Sequence, residues 1–178
     1  VRHNGFIPWD DDADVAFTRN QYDAFMKVVK RELPEGLELL EPDSFRGGKG
    51  FYDFTARIIY KKSRCHEDSP QMAFYEGKLN HLWVDLFVID RLPAGRAGAA
   101  ATKFLHMAVY GMAMAHRDKL DFGKYSLMNK ILVGGLATVG RIIPMKAIFA
   151  MQKALALKDR NSKGRLRYYS NYQPDFLR

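Results

Sequence analysis

The stretch IPWDDDADVAF, residues 7–17, sets four carboxylates within five positions between two apolar flanks. Burying even one unpaired carboxylate is costly, so the cluster has to be solvated, paired with bases or neutralised by a bound cation. Asp10, Asp12 and Asp14 alternate with Asp11, Ala13 and Val15. A period of two predicts a strand over residues 12–17 with Asp12 and Asp14 on one face. Ala13, Val15 and Phe17 then point toward a core, so the acids ride on a core element without being buried in it.

The chain has 178 residues, 47% of them hydrophobic and 13% aromatic, enough for one well-formed core, which excludes disorder as the default state. Its single cysteine, Cys65, forms no internal disulfide, which fits a reducing compartment, and Cys65-His66 offers too few ligands for zinc. No uncharged apolar run reaches the length of a membrane-spanning helix. The chain starts at Val1 without an initiator methionine and already close to the acids, so we expect a fragment of a longer protein.

The net charge of +8 conceals an asymmetry. Residues 1–95 carry 13 Lys and Arg against 16 Asp and Glu, net −3, whereas residues 96–178 carry 15 against 4, net +11. A basic half of this kind suits phosphate-rich ligands, an anionic membrane surface or nucleic acid, with a solvated basic helix face as the plain alternative.

Thr18 and Gln21 form a capping box ahead of Tyr22, Phe25, Met26, Val29 and Leu33, which predicts a helix over 19–33 ended by Pro34 and Gly36. Residues 37–40 and 53–60 read as strands joined across the glycine-rich segment 46–50, taken as a hairpin turn because it lacks the P-loop pattern. HLWVDLFVID, residues 81–90, reads as a buried strand with Asp85 in its middle. From Arg96 the spacing becomes helical, over about 97–117 and 125–158, punctuated by Gly134-Gly135 and Pro144. The expected organisation is α/β (α+β): a core over 1–95 and a basic helical extension of the same domain over 96–178.

Two carboxylates two apart on a strand, joined by a third on a neighbouring strand, suit Mg²⁺ or Mn²⁺ held against nucleotide phosphates, because hard cations prefer carboxylate and phosphate oxygens. Asp12, Asp14 and Asp85 supply those acids as metal ligands, with Asp85 alternatively the base that takes a proton from an acceptor hydroxyl. Their plainer readings are a solvated turn for the first two and a buried ion pair for Asp85. An EF-hand loop is a poorer match, since its glycine and distal glutamate are missing.

The run RHNGFIPWDDDADVAF followed by a helix resembles the signature of the LicD family of phosphotransferases, within the nucleotidyltransferase superfamily. VDLFVID resembles the family's second motif, with Asp85 and Asp90 at its two acids and Val88 where a proline is usual. The resemblance covers residues 2–90. It implies a nucleotidyltransferase-like mixed sheet and transfer of phosphocholine from CDP-choline, or of a phosphoalditol from CDP-ribitol or CDP-glycerol, to a cell-surface glycan such as lipopolysaccharide or teichoic acid. The superfamily's Gly-Ser or Gly-Thr turn, which cradles donor phosphates, would lie before Val1. The implied location is the cytoplasm at the inner face of a membrane, or the Golgi lumen in a eukaryote.

Within that reading Arg2 and His3 would meet donor phosphate, Trp9 would stack on a base or headgroup, and Asp10 and Asp90 would complete the substrate site. Structural ion pairs, core packing for Trp9 and a local salt bridge for Asp90 are the alternatives. His81, His106 and His116 read as packed or surface residues. The cluster Lys158, Arg160, Lys163, Arg165 and Arg167 with Tyr168, Tyr169 and Tyr172 reads first as a solvated tail, next as a surface for acceptor or anionic membrane, and last for nucleic acid. Two competing functions remain: transfer of the nucleotide itself to RNA or protein, and a non-catalytic basic binding module.

Overall fold

The computed structural model describes residues 13–64, 77–117, 127–164, 167–172 and 176–177. Strand β1 (Asp14–Thr18) leads directly into helix α1 (Arg19–Glu32). The junction is a capping box: the Gln21 side-chain carbonyl accepts from the Thr18 backbone N–H at 3.1 Å and from the Thr18 hydroxyl at 2.7 Å. Lys30 and Arg31 in the last turn oppose the negative end of the helix dipole. Tyr22, Phe25 and Met26 pack on Ala56, Ile58, Val84 and Leu86, so α1 covers one face of the sheet.

The mixed sheet is organised around β4 (Leu82–Arg91). β1 runs parallel to it over residues 85–89, while β3 (Ala56–Tyr60) pairs antiparallel with residues 82–86. β2 (Leu37–Leu40) extends the sheet beyond β3 as its antiparallel neighbour. The two strands therefore form the expected hairpin, but its connection is longer than the turn predicted. Pro42–Gly48 make a 3₁₀ segment in which Arg46, Gly47 and Gly48 take left-handed φ of 50°, 64° and 77°. β3 begins three residues later than predicted because Asp53 Oδ1 accepts the Thr55 backbone N–H at 2.6 Å, a local turn that diverts the chain from the ladder.

Helix α2 (Arg96–Ala113) ends in a 3₁₀ turn, Met114–His116. The long helical pattern that follows is cut by Pro144 into α3 (Leu127–Ile142) and α4 (Met145–Lys158), which meet at 113°. His116 Nε2 lies 3.1 Å from the Gly140 carbonyl and 3.0 Å from that of Ile143, tying down the end of α3.

The solvated tail expected at the C-terminus is not what forms. β5 (Arg167–Tyr169) pairs with β4 at Ile89–Arg91, and β6 (Phe176–Leu177) pairs with β5. Tyr168 is buried against Leu92 and Ala99, with its hydroxyl 2.8 Å from His106 Nε2. Between β3 and β5 the edge of β4 is completed by Ser170, whose backbone N–H donates to the Val88 carbonyl at 2.9 Å, and by the Asn171 side chain. Asn171 Oδ1 accepts from the Val88 N–H at 2.8 Å and its Nδ2 donates to the Leu86 carbonyl at 2.9 Å, standing in for a strand residue. A three-residue strand, Arg167-Tyr168-Tyr169, carries too short a pattern to be recognised in advance.

Candidate active site

Strand register places the acids. Asp14 on β1 is the direct partner of Asp85 on β4, and Arg57 on β3 is the partner of Asp85 from the other side. Register partners share a face at a strand spacing of ~4.8 Å, so Asp14, Asp85 and Arg57 form one row across three strands. The row lies on the face opposite α1, because Val84 and Leu86, which touch α1, alternate with Asp85.

Arg57 organises the row. Its Nε donates to Asp85 Oδ1 at 2.6 Å and its Nη2 to Asp53 Oδ2 at 2.8 Å, while the guanidinium sits over the rings of Tyr52 at 5.1 Å and Trp83 at 5.8 Å. Burial opposes the charge on Arg57, but Asp53 and Asp85 outweigh it and hold the group above its ordinary pKa. Burial also lifts the Asp53 carboxyl above the usual range, against the pull of Arg57. Arg57 Nη1 is buried with no hydrogen-bond partner among the described residues. The ion pair foreseen as the alternative for Asp85 is thus present, and it engages Asp85 through one carboxylate oxygen.

Asp14 and Asp85 present hard oxygen donors on adjacent strands, which fits two of the three carboxylates expected around a divalent cation. Asp12, the expected third, lies outside the described residues, as do Arg2, His3, Trp9 and Asp10. Among the described residues no three Asp, Glu, His or Cys side chains gather to hold a metal.

Asp90 does not join the row. It sits five residues from Asp85 on one strand and therefore points to the other face, where it is 3% exposed. There Arg19 grips it with two donors, Nε to Oδ1 at 3.1 Å and Nη2 to Oδ2 at 2.5 Å, clamping the first turn of α1 to the end of β4. On that same side a cavity of about 740 Å³ opens between α1 and α4, with Lys27, Lys146 and Lys153 on its walls and Val88 and Asn171 in its lining. The sheet separates it from Asp14 and Asp85.

Sequence reasoning overlooked Arg57 and Asp53. A lone arginine inside the apolar run Ala56–Tyr60 was a signal of the same kind as Asp85 inside β4, but pairing the two requires the register of β3 against β4.

A family model described as "LicD/FKTN/FKRP, nucleotidyltransferase domain" matches residues 1–93. The lipopolysaccharide cholinephosphotransferase LicD of Haemophilus influenzae is 28% identical over 93 residues, which make up 52% of this chain and 32% of that protein. The chain thus matches about a third of the length of this curated relative. No solved structure matches. The family match spans β1, α1 and all of β4, more than half the chain and every described residue of the acidic row, and the protein belongs to the LicD family.

Proposed function

We propose that this chain carries the metal-binding core of a phosphotransferase that moves phosphocholine, or a related phosphoalditol, from a CDP-activated donor to a glycan hydroxyl. The observation that carries the reading is the Asp14–Asp85–Arg57 row on the sheet face opposite α1 in a LicD-family domain. Asp12, Asp14 and Asp85 would hold Mg²⁺ or Mn²⁺, which supplies neutralisation of the charge that builds on the donor phosphates. Arg57 orients Asp85 through its 2.6 Å hydrogen bond, fixing the carboxylate that would bind a cation or accept a hydroxyl proton. The Asp53 contact fixes the other arm of Arg57, so the guanidinium cannot swing out of the row. Arg2, His3, Trp9 and Asp10 are assigned to the donor, adjoining the acids in sequence. Asp90, bound to Arg19, serves as a clamp between α1 and the strand that bears Asp85.

The test is transfer and donor binding by the full-length protein with CDP-choline, CDP-ribitol and CDP-glycerol, with and without Mg²⁺, for the parent and for Asp14→Asn and Asp85→Asn. A cation worth several kcal/mol of charge stabilisation predicts a loss of roughly a hundredfold or more in transfer, alongside loss of metal-dependent donor binding. Unaltered transfer in folded Asp14→Asn would overturn the metal role. Attachment of the nucleotide half of the donor to the acceptor would overturn phosphotransfer.

A further inference from the structure

The helices α2, α3 and α4 contain no aspartate or glutamate. Solvated helix surfaces ordinarily mix both signs, so an acid-free set carrying Arg96, Lys103, Lys130 and Arg141 points to an anionic partner.

The packing of α3 shows which side faces outward. A Cβ on Gly140 would lie 2.1 Å from the Met112 carbonyl oxygen, and one on Gly111 would lie 2.6 Å from Leu136 Cδ1. The two helices therefore cross backbone to backbone, with buried Ala137 and Gly140 turned inward from α3. The opposite side of α3 presents Ile131, 66% exposed, Val139, and Ile142, 83% exposed, at helical spacing. Next to it α2 exposes Phe104 and Met107 on the side away from its buried Ala99, Thr102, His106 and Val109. Large apolar side chains left in water on two packed helices mark an interaction site, and here exposed Arg141 and half-buried Lys130 lie on the same helix as the isoleucines.

We propose that the outer faces of α2 and α3 dock in the headgroup layer of an anionic lipid bilayer. Hydrocarbon receives Phe104, Met107, Ile131, Val139 and Ile142, while lipid phosphates meet Lys103, Lys130 and Arg141. A second copy related by a two-fold axis would oppose base against base, with no acid on either described helix to pair them. Nucleic acid would satisfy the bases but leave the isoleucines in water. No single described helix is long and apolar enough to cross a membrane, and α3 with α4 passes only as a pair bent by 113°, so the face lies on the bilayer. The docking is independent of which headgroup the acidic row transfers.

The test is flotation of the full-length protein with vesicles of phosphatidylcholine alone and with about a third phosphatidylglycerol. The variants are Ile131→Glu/Ile142→Glu and Lys130→Gln/Arg141→Gln, each checked by circular dichroism, with light scattering for oligomeric state. Ile131, Arg141 and Ile142 are exposed and Lys130 half-buried, so the circular dichroism of each variant should match that of the parent. Binding is expected on the anionic vesicles, weakened by roughly tenfold or more in each double variant and by added salt. Failure to bind, equal binding to neutral vesicles, or binding unchanged by both variants would overturn the proposal. So would a dimer in solution that Ile131→Glu/Ile142→Glu dissociates.

Discussion

Acidification should destabilise this fold through one buried imidazole, His106. The ring is 5% exposed, its Nε2 is 2.8 Å from the Tyr168 hydroxyl, and the two rings meet edge to face at 5.3 Å. Burial pushes its pKa from 6.5 down to about 4, with Asp90 pulling weakly the other way. In the unfolded chain the imidazole recovers a pKa near ~6.5. Between these values the unfolded chain binds a proton that the native protein refuses, so stability falls as the pH drops through this window. At ~1.4 kcal/mol per tenfold change in proton affinity, a depression from 6.5 to about 4 amounts to roughly 3 kcal/mol at the acid end. Carboxylates titrate in the same range, so the measurement has to be a difference. Urea unfolding of the parent and of His106→Gln, taken from neutral pH to about pH 4, isolates the contribution of the ring. The glutamine variant should lose stability at neutral pH, and the gap between the two proteins should narrow by ~3 kcal/mol on acidification. A gap that stays constant would refute the argument, because it would mean that the ring takes up its proton as easily in the native protein as in the unfolded chain.

Two further substitutions probe the framework. Gly140→Ala drives a methyl into the Met112 carbonyl, 2.1 Å away, and should cost about 1–3 kcal/mol or more by thermal unfolding. Gly134→Ala, with open space around the added carbon, should be neutral or gain up to ~1 kcal/mol on the same helix. Asn171→Ala strands the Val88 N–H and the Leu86 carbonyl and should cost roughly 2–4 kcal/mol, with faster hydrogen exchange at the Val88 amide.

Local rules carried the first half of the chain. The capping box at Thr18 and the strand character of HLWVDLFVID both follow from neighbouring residues, and both elements formed within a residue or two of the expected limits. The parity that puts Asp14 on a shared face is likewise local, and its counterpart, the five-residue step from Asp85 to Asp90, already implied opposite faces. What could not be read was long-range. The pairing of Arg57 with Asp85 depends on how β3 slides against β4, and the identity of the residue that plugs the ladder beside Val88 depends on a segment more than eighty positions away. The donor-site residues expected at Arg2, His3, Trp9, Asp10 and Asp12 belong to a stretch outside the described residues.

The return of the C-terminal segment to β4 orders events in time. β4 leaves the ribosome with its β1 and β3 partners already made, but Ser170 and Asn171, which close the stretch from Leu86 to Val88, are synthesised several dozen residues later. At ~5–20 residues per second that interval is roughly 4–15 s, during which the strand bearing Asp85 has an open edge. Unpaired edges template association with other chains, so the nascent protein is exposed to misassembly at the strand that holds its acids.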